Sequence, residues 1–167
     1  MNDEEKQKNY ELAEKLFLEQ NFAAAAIAGA FATLLAAVAY GIVVEKWPFS
    51  YGFAAAGVGI VIGLPMGFLG RGISTKFGVT AALYTIVGCV LGNLLVKIMN
   101  LAIGTATSPI DVVQNNSLSV LAGWSVSGLS LIHLVFWFVA VFAAVFLAKR
   151  SLSRSERLAI GMFGMRN

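Results

Sequence analysis

The sequence predicts an all-α membrane protein, a four-transmembrane-helix bundle, and three observations carry that prediction. Mean hydropathy is +0.78, 58% of residues are hydrophobic and only 13% are charged, about half the charge of a soluble domain. The apolar residues fall in runs at 22–44, 50–69, 78–98 and 129–148, broken by no acidic or basic residue except Lys97 near the end of the third. A helix of ~20 apolar residues crosses the ~30 Å hydrocarbon core, whereas barrel strands would alternate over ~10 residues, and these runs do not alternate.

Residues 1–20 are expected to form a short amphipathic helix on the cytoplasmic side, capped by Asp3, with Leu12, Leu16 and Phe17 on one face. The segment holds Asp3, Glu4, Glu5, Glu11, Glu14 and Glu19 against Lys6, Lys8 and Lys15. A signal peptide needs a positive start and a shorter apolar stretch. The first run is therefore read as a retained span, although Ala37-Val38-Ala39 imitates a cleavage site.

The four-run domain covers 21–150, with a basic cytoplasmic tail at 151–167. Its orientation follows from the loops. Lys6, Lys8, Lys15, Arg71, Lys76, Lys149, Arg150, Arg154, Arg157 and Arg166 share one side in an N-in/C-in, four-span topology; only Lys46 and Lys97 fall on the other. Lys and Arg favour the cytoplasmic side of a membrane. Trp47, Phe49 and Tyr51 would then cluster at the outer end of the first hairpin, with Trp124 in the outer loop, as an interfacial aromatic belt. The same positional logic explains a net charge of +3 without nucleic acid.

The outer loop, 99–128, is the longest non-spanning segment. Ser108-Pro109-Ile110-Asp111 is a helix start, with Ser as N-cap, Pro first in the helix and Asp in its first turn. A short interfacial helix is expected near 109–121, with Ile110, Val113, Leu118 and Leu121 towards the bilayer surface. Asn115-Asn116-Ser117 matches a glycosylation acceptor, which a bacterial setting would leave silent.

Small residues recur every fourth position in three of the runs. Ala25, Gly29, Thr33, Ala37 and Gly41 do so in the first, Ala55, Gly59, Gly63 and Gly67 in the second, and Gly88 and Gly92 in the third. Residues four apart share a helix face. Small faces let backbones approach closely in lipid, where burying apolar surface supplies little drive. Close packing of these faces is expected in the manner of a glycine zipper, either among spans one to three of one chain or between copies. The fourth run is bulky over 131–138 and is expected at the periphery, facing lipid or a partner. Pro65 removes a backbone donor inside the second span and is expected to bend it or end it early.

Chemistry-bearing residues are sparse. His133 is the single histidine and Cys89 the single cysteine, so no metal site and no intrachain disulfide are expected. Asn93, Tyr84 and Thr85 are expected to hydrogen-bond between helices. His133, Asn93 and Pro65 are the candidate functional positions. No Ser/His/Asp set, carboxylate pair or phosphate-binding loop is legible, so a non-enzymatic protein without cofactor is expected.

Gln20-Asn21-Phe22, the second run, Arg71 and Gly88-Cys89-Val90-Leu91-Gly92-Asn93 together resemble small bacterial multi-span inner-membrane proteins of uncharacterised activity, over about residues 20–95. The resemblance implies a bacterial inner-membrane setting and transfers no activity and no site residues. The first reading of function is a membrane subunit acting through helix packing in a homo-oligomer or with other membrane subunits. An oligomeric channel or transporter built on the Gly/Pro-rich second span is the second reading, and a membrane sensor or regulator the third.

Overall fold

A computed structural model describes residues 3–47 and 51–164, and all regular structure there is helical. In chain order the helices are α1 (Asp3–Leu18), α2 (Phe22–Lys46), α3 (Tyr51–Gly70), α4 (Thr75–Thr105), α5 (Pro109–Gln114), α6 (Leu118–Val126), α7 (Leu131–Leu147) and α8 (Arg154–Gly164). Phe49, Ser50 and Arg166 lie outside the described residues. Helices α2, α3 and α4 are long and apolar enough to cross a membrane; α6 and α7, bent by 89° at their break, make a fourth crossing if taken as one span.

Asn21 starts α2 by accepting the Ala24 N–H on its side chain at 2.9 Å. This satisfies one of the amides that a helix N-terminus leaves without a partner. Helix α3 continues past Pro65 to Gly70, so the expected early end does not occur. It stops where Arg71 turns left-handed at φ 46°. The third run proves longer than expected. Nothing between Ile98 and Thr105 breaks a helix, and α4 closes only where Ala106 adopts φ 51° and Thr107 donates back to the Ala102 carbonyl at 3.0 Å, a Schellman-type ending.

The connection between α4 and α7 is correspondingly shorter than expected and holds two helices. Ser108 and Asp111 form a reciprocal capping box at the start of α5. The helix breaks at Asn115-Asn116-Ser117 instead of reaching 121. Asn116 turns its amide onto the Val112 carbonyl at 2.7 Å, and Ser117 begins α6. Such short polar side chains compete with the helix for its own backbone. Val112 of α5 packs with Ile98 and Ala102 of α4, and Trp124 of α6 covers them.

One core is shared by α2, α3, α4 and α7. Helices α3 and α4 each touch the other three, while α2 and α7 occupy opposite corners. Two kinds of glycine build this core. Gly29, Gly41, Gly52, Gly88 and Gly92 are sockets. A Cβ on Gly29 would lie 2.6 Å from the Tyr84 ring, one on Gly92 would lie 2.6 Å from the Tyr40 ring, and one on Gly41 would lie 3.0 Å from the Leu95 side chain. Gly88 faces Val58, Ile62 and Thr33.

Gly59, Gly63 and Gly67 differ, because what they meet is backbone. A Cβ on Gly59 would sit 2.7 Å from the Ala140 carbonyl carbon, and one on Gly63 would sit 2.9 Å from Ala144 Cα; Gly67 faces the Leu147 carbonyl oxygen. The α3 series therefore packs on α7, and the expectation of a peripheral fourth run is corrected. Ala140, Ala144 and Ala148 are fully buried at the same four-residue spacing, while Phe138, Phe142 and Phe146 point outward. The bulky residues hid this small face in the sequence.

The two terminal segments also pack together. Ala13 and Leu16 of α1 and Ala159 of α8 are buried, and α1 lies against α8. Phe17, expected on the same face as Leu16, is less covered, at 39% exposed. The expected tail is thus helical over 154–164, and this helix lies beside α1.

Gly59→Ala should destabilise the fold by about 1–3 kcal/mol, since rigid backbone must move to admit the methyl. Gly57→Ala, where nothing lies within 4 Å, should cost nothing. Thermal unfolding of the two variants in one detergent checks the contrast.

Candidate functional site: the α6–α7 break and the charge cluster at the α3–α4 turn

Polar side chains gather at the two ends of the helical core. At one end, α6 stops at Ser127, Gly128 takes φ 74°, and Ser130 starts α7. A helix end leaves carbonyls without partners, and in an apolar setting each must be met. Two α4 residues one turn apart meet them. The Asn93 amide donates to the Ser125 carbonyl at 2.7 Å, and the Lys97 ammonium reaches the Ser127 carbonyl and hydroxyl. A cation at a helix C-terminus also complements the helix dipole. Asn93 thus makes a contact between elements, as its position in the third run suggested.

His133 serves the other side of the break. Its Nδ1 accepts the Ser130 N–H at 3.1 Å, which puts the ring proton of the neutral imidazole on Nε2. Tyr51 packs edge-on against the ring at 5.2 Å. His133 is therefore half of a cap for α7, and the structure brings it to Tyr51 and Ser130 but not to Asn93 or Pro65. Pro65 lies half-buried in the opposite half of α3, away from both polar groups. Thr85 was expected to bond between helices, but its hydroxyl donates to Ala81 of its own helix at 2.8 Å. Thr33 does the same to Gly29 at 2.7 Å. Tyr84 fills the socket at Gly29. Cys89 is buried.

At the other end, the α3–α4 turn is stitched to both terminal segments. Gly70 accepts the Asn21 N–H at 2.9 Å and Gly72 accepts the Arg150 N–H at 2.8 Å. The Gln20 side-chain oxygen accepts from the amides of Ile73 at 3.2 Å and Ser74 at 3.3 Å. Charges reinforce the stitch. Arg150 pairs with Glu19 at 3.0 Å and Glu156 at 3.1 Å, and Arg71 reaches Glu19 at 3.9 Å. Lys76 stands 5.1 Å from the centre of the Phe22 ring, within cation–π range.

Glu156 and Ser153 form a reciprocal cap at the start of α8. The Ser153 N–H donates to the carboxylate at 2.7 Å, and the Glu156 N–H donates to the Ser153 hydroxyl at 3.3 Å. The Ser153 backbone amide, then its side chain, and lastly Arg150 hold the Glu156 carboxyl below its ordinary value of 4.5.

The Glu19–Arg150–Glu156 cluster has no counterpart in the sequence reading, which takes Arg71 and Arg150 only as orienting charges. Ser153-Arg154-Ser155-Glu156 carries the one available signal, the S-x-x-E pattern of a capping box. Among the described residues, no three His, Cys, Asp or Glu side chains gather to hold a metal ion. No family model, curated relative or solved structure matches the chain.

Asn93→Ala should leave the Ser125 carbonyl unmet and cost about 1 kcal/mol. Hydrogen exchange should rise in 118–126 while 22–46 stays protected. The Glu156 contribution is complete above about pH 4.5, where the unfolded carboxyl is ionised. It should fade as the pH drops through the lower folded value. Exchange over 154–164 should therefore rise in mild acid, and Glu156→Gln should remove that pH dependence.

Proposed function

We propose that this chain is a non-enzymatic integral membrane subunit of four transmembrane helices, with both termini cytoplasmic. It acts through helix packing, as a homo-oligomer or within a larger complex of the bacterial inner membrane. The four-helix part of this reading is supported most directly by the backbone contact of Gly59, Gly63 and Gly67 with α7. The interior of the chain is taken up by its own packing, so its outward faces and its ends are what it offers to other molecules.

Further observations favour the membrane setting. Phe31, Phe53, Phe68, Phe142 and Phe146 are each at least two-thirds exposed, and such apolar surface is normal against lipid and a liability in water. Helices α1 and α8 touch, and an even number of crossings would put both on one side. The bacterial assignment rests on the sequence resemblance. Loop charge supports the cytoplasmic side for α1 and α8.

The channel reading loses its motive, because the glycine face of α3 that would line an oligomeric pore is already covered by α7. The sensor reading gains one. Asn93 and Lys97 tie the outer helix α6 to α4, and α4 runs through to the inner turn. A displacement of α6 therefore has a rigid element to act on.

The native mass of the full chain in gentle detergent, with co-purifying proteins identified, tests the proposal. A defined multimer or a stable hetero-complex is the expected outcome. A monodisperse monomer that retains no partner would count against the subunit reading.

A further inference from the structure

Two hollows flank Lys149 at the inner end of α7. One, of about 430 Å³, is walled by Phe142, Val145 and Phe146 and rimmed by Lys149 and Arg157. The other, of about 230 Å³, lies between α4 and α7 and is walled by Val79, Ala82, Leu83 and Val145. Val145 and Lys149 line both. The room for Lys149 comes from Gly78 on α4, where a Cβ would approach its Cε to 3.1 Å.

The walls pass from aromatic and aliphatic to cationic within about one helical turn, where α7 ends. That gradient matches a molecule with an apolar body and an anionic head. Arg150 also borders the larger hollow, but its guanidinium is engaged by Glu19 and Glu156. The Lys149 ammonium makes no hydrogen bond or ion pair among the described residues. Arg157 uses its Nε–H on the Leu152 carbonyl at 3.1 Å and keeps its terminal N–H groups available. Ser151 adds a hydroxyl to the rim. No acidic side chain lines either hollow, so nothing there would meet the cationic end of a zwitterionic headgroup.

We infer that the two hollows beside Lys149 bind one anionic phospholipid, with its phosphate between Lys149 and Arg157 and its upper acyl chains along Val145, Phe146 and Leu83. Basic recesses between helices at the cytoplasmic surface are suited to such headgroups. The inference rests on the membrane-spanning reading above and not on oligomerisation.

Native mass spectrometry of the full chain in gentle detergent tests it, with phosphatidylglycerol and phosphatidylcholine of identical acyl chains added in turn. The expected result is about twenty-five-fold greater retention of phosphatidylglycerol, with about fivefold lost for each cation removed. Lys149→Gln combined with Arg157→Gln should erase the preference, Lys149→Arg should keep it, and Lys46→Gln at the opposite end should leave it unchanged. The unfolding temperature of each variant separates lost binding from lost fold. Equal retention of both lipids, or a preference that survives in the folded double variant, would overturn the site. So would displacement of the lipid by millimolar glycerol phosphate, which would assign the recess to a soluble anion. The protein mass in the same spectra reads the subunit count independently, so failure of the lipid site and failure of the subunit reading are told apart.

Discussion

The approach of α3 to α7 without intervening side chains is the constraint from which the remaining packing follows. Glycine at 59, 63 and 67 lets the Ala140–Leu147 backbone lie directly on α3. Dispersion between closely packed atoms is collectively large. In lipid it stands in for the burial of apolar surface that drives a soluble core. With α7 drawn in on one side of α3, α2 is left to the other, and α4 closes the arrangement by touching all three. The aromatic knobs Tyr40, Tyr84 and Phe136 then have sockets of fixed position at Gly92, Gly29 and Gly52.

The ends obey a different rule, the satisfaction of backbone polar groups. At one end, the broken α6–α7 segment is completed by Asn93 and Lys97 on one side and by the Ser130–His133 cap on the other. At the opposite end, the short α3–α4 turn receives hydrogen bonds from both terminal segments, and Glu19, Arg150 and Glu156 hold those segments in register. Partly exposed pairs of this kind each contribute roughly 1 kcal/mol or less. Their effect is on register and on the pairing of α1 with α8 more than on overall stability.

The long helices were legible because apolar runs of near-membrane length admit few alternatives. The four-residue spacing of small residues also announced close faces. It could not say which face meets which, because helical periodicity reports a stripe on one helix and nothing about its partner. Ala140, Ala144 and Ala148 were overlooked because the aromatic residues between them dominate the composition of that run. Asn93 stood out as a polar residue in an apolar stretch. Lys97 did not, since a lysine at the end of a span reads as an anchor until the carbonyls it meets are known. The end of α4 was misplaced because hydropathy falls before the helix stops. The Glu19–Arg150–Glu156 cluster joins residues from opposite ends of the chain, a proximity that no local pattern records.

The unequal lengths of the core helices have a further consequence in the proposed bilayer. At ~1.5 Å per residue, α2 with its 25 residues is about 37 Å long, whereas α7 with its 17 is about 26 Å. The two stand at opposite corners of the core, so the apolar girdle of the molecule is tall on one flank and low on the other. Lipids beside α7 would have to thin, at a cost of a fraction of a kcal/mol for each ångström of mismatch. A protein with such a wedge-like girdle is drawn towards thinner patches of membrane, and towards neighbours whose low flank can share the same compressed lipid.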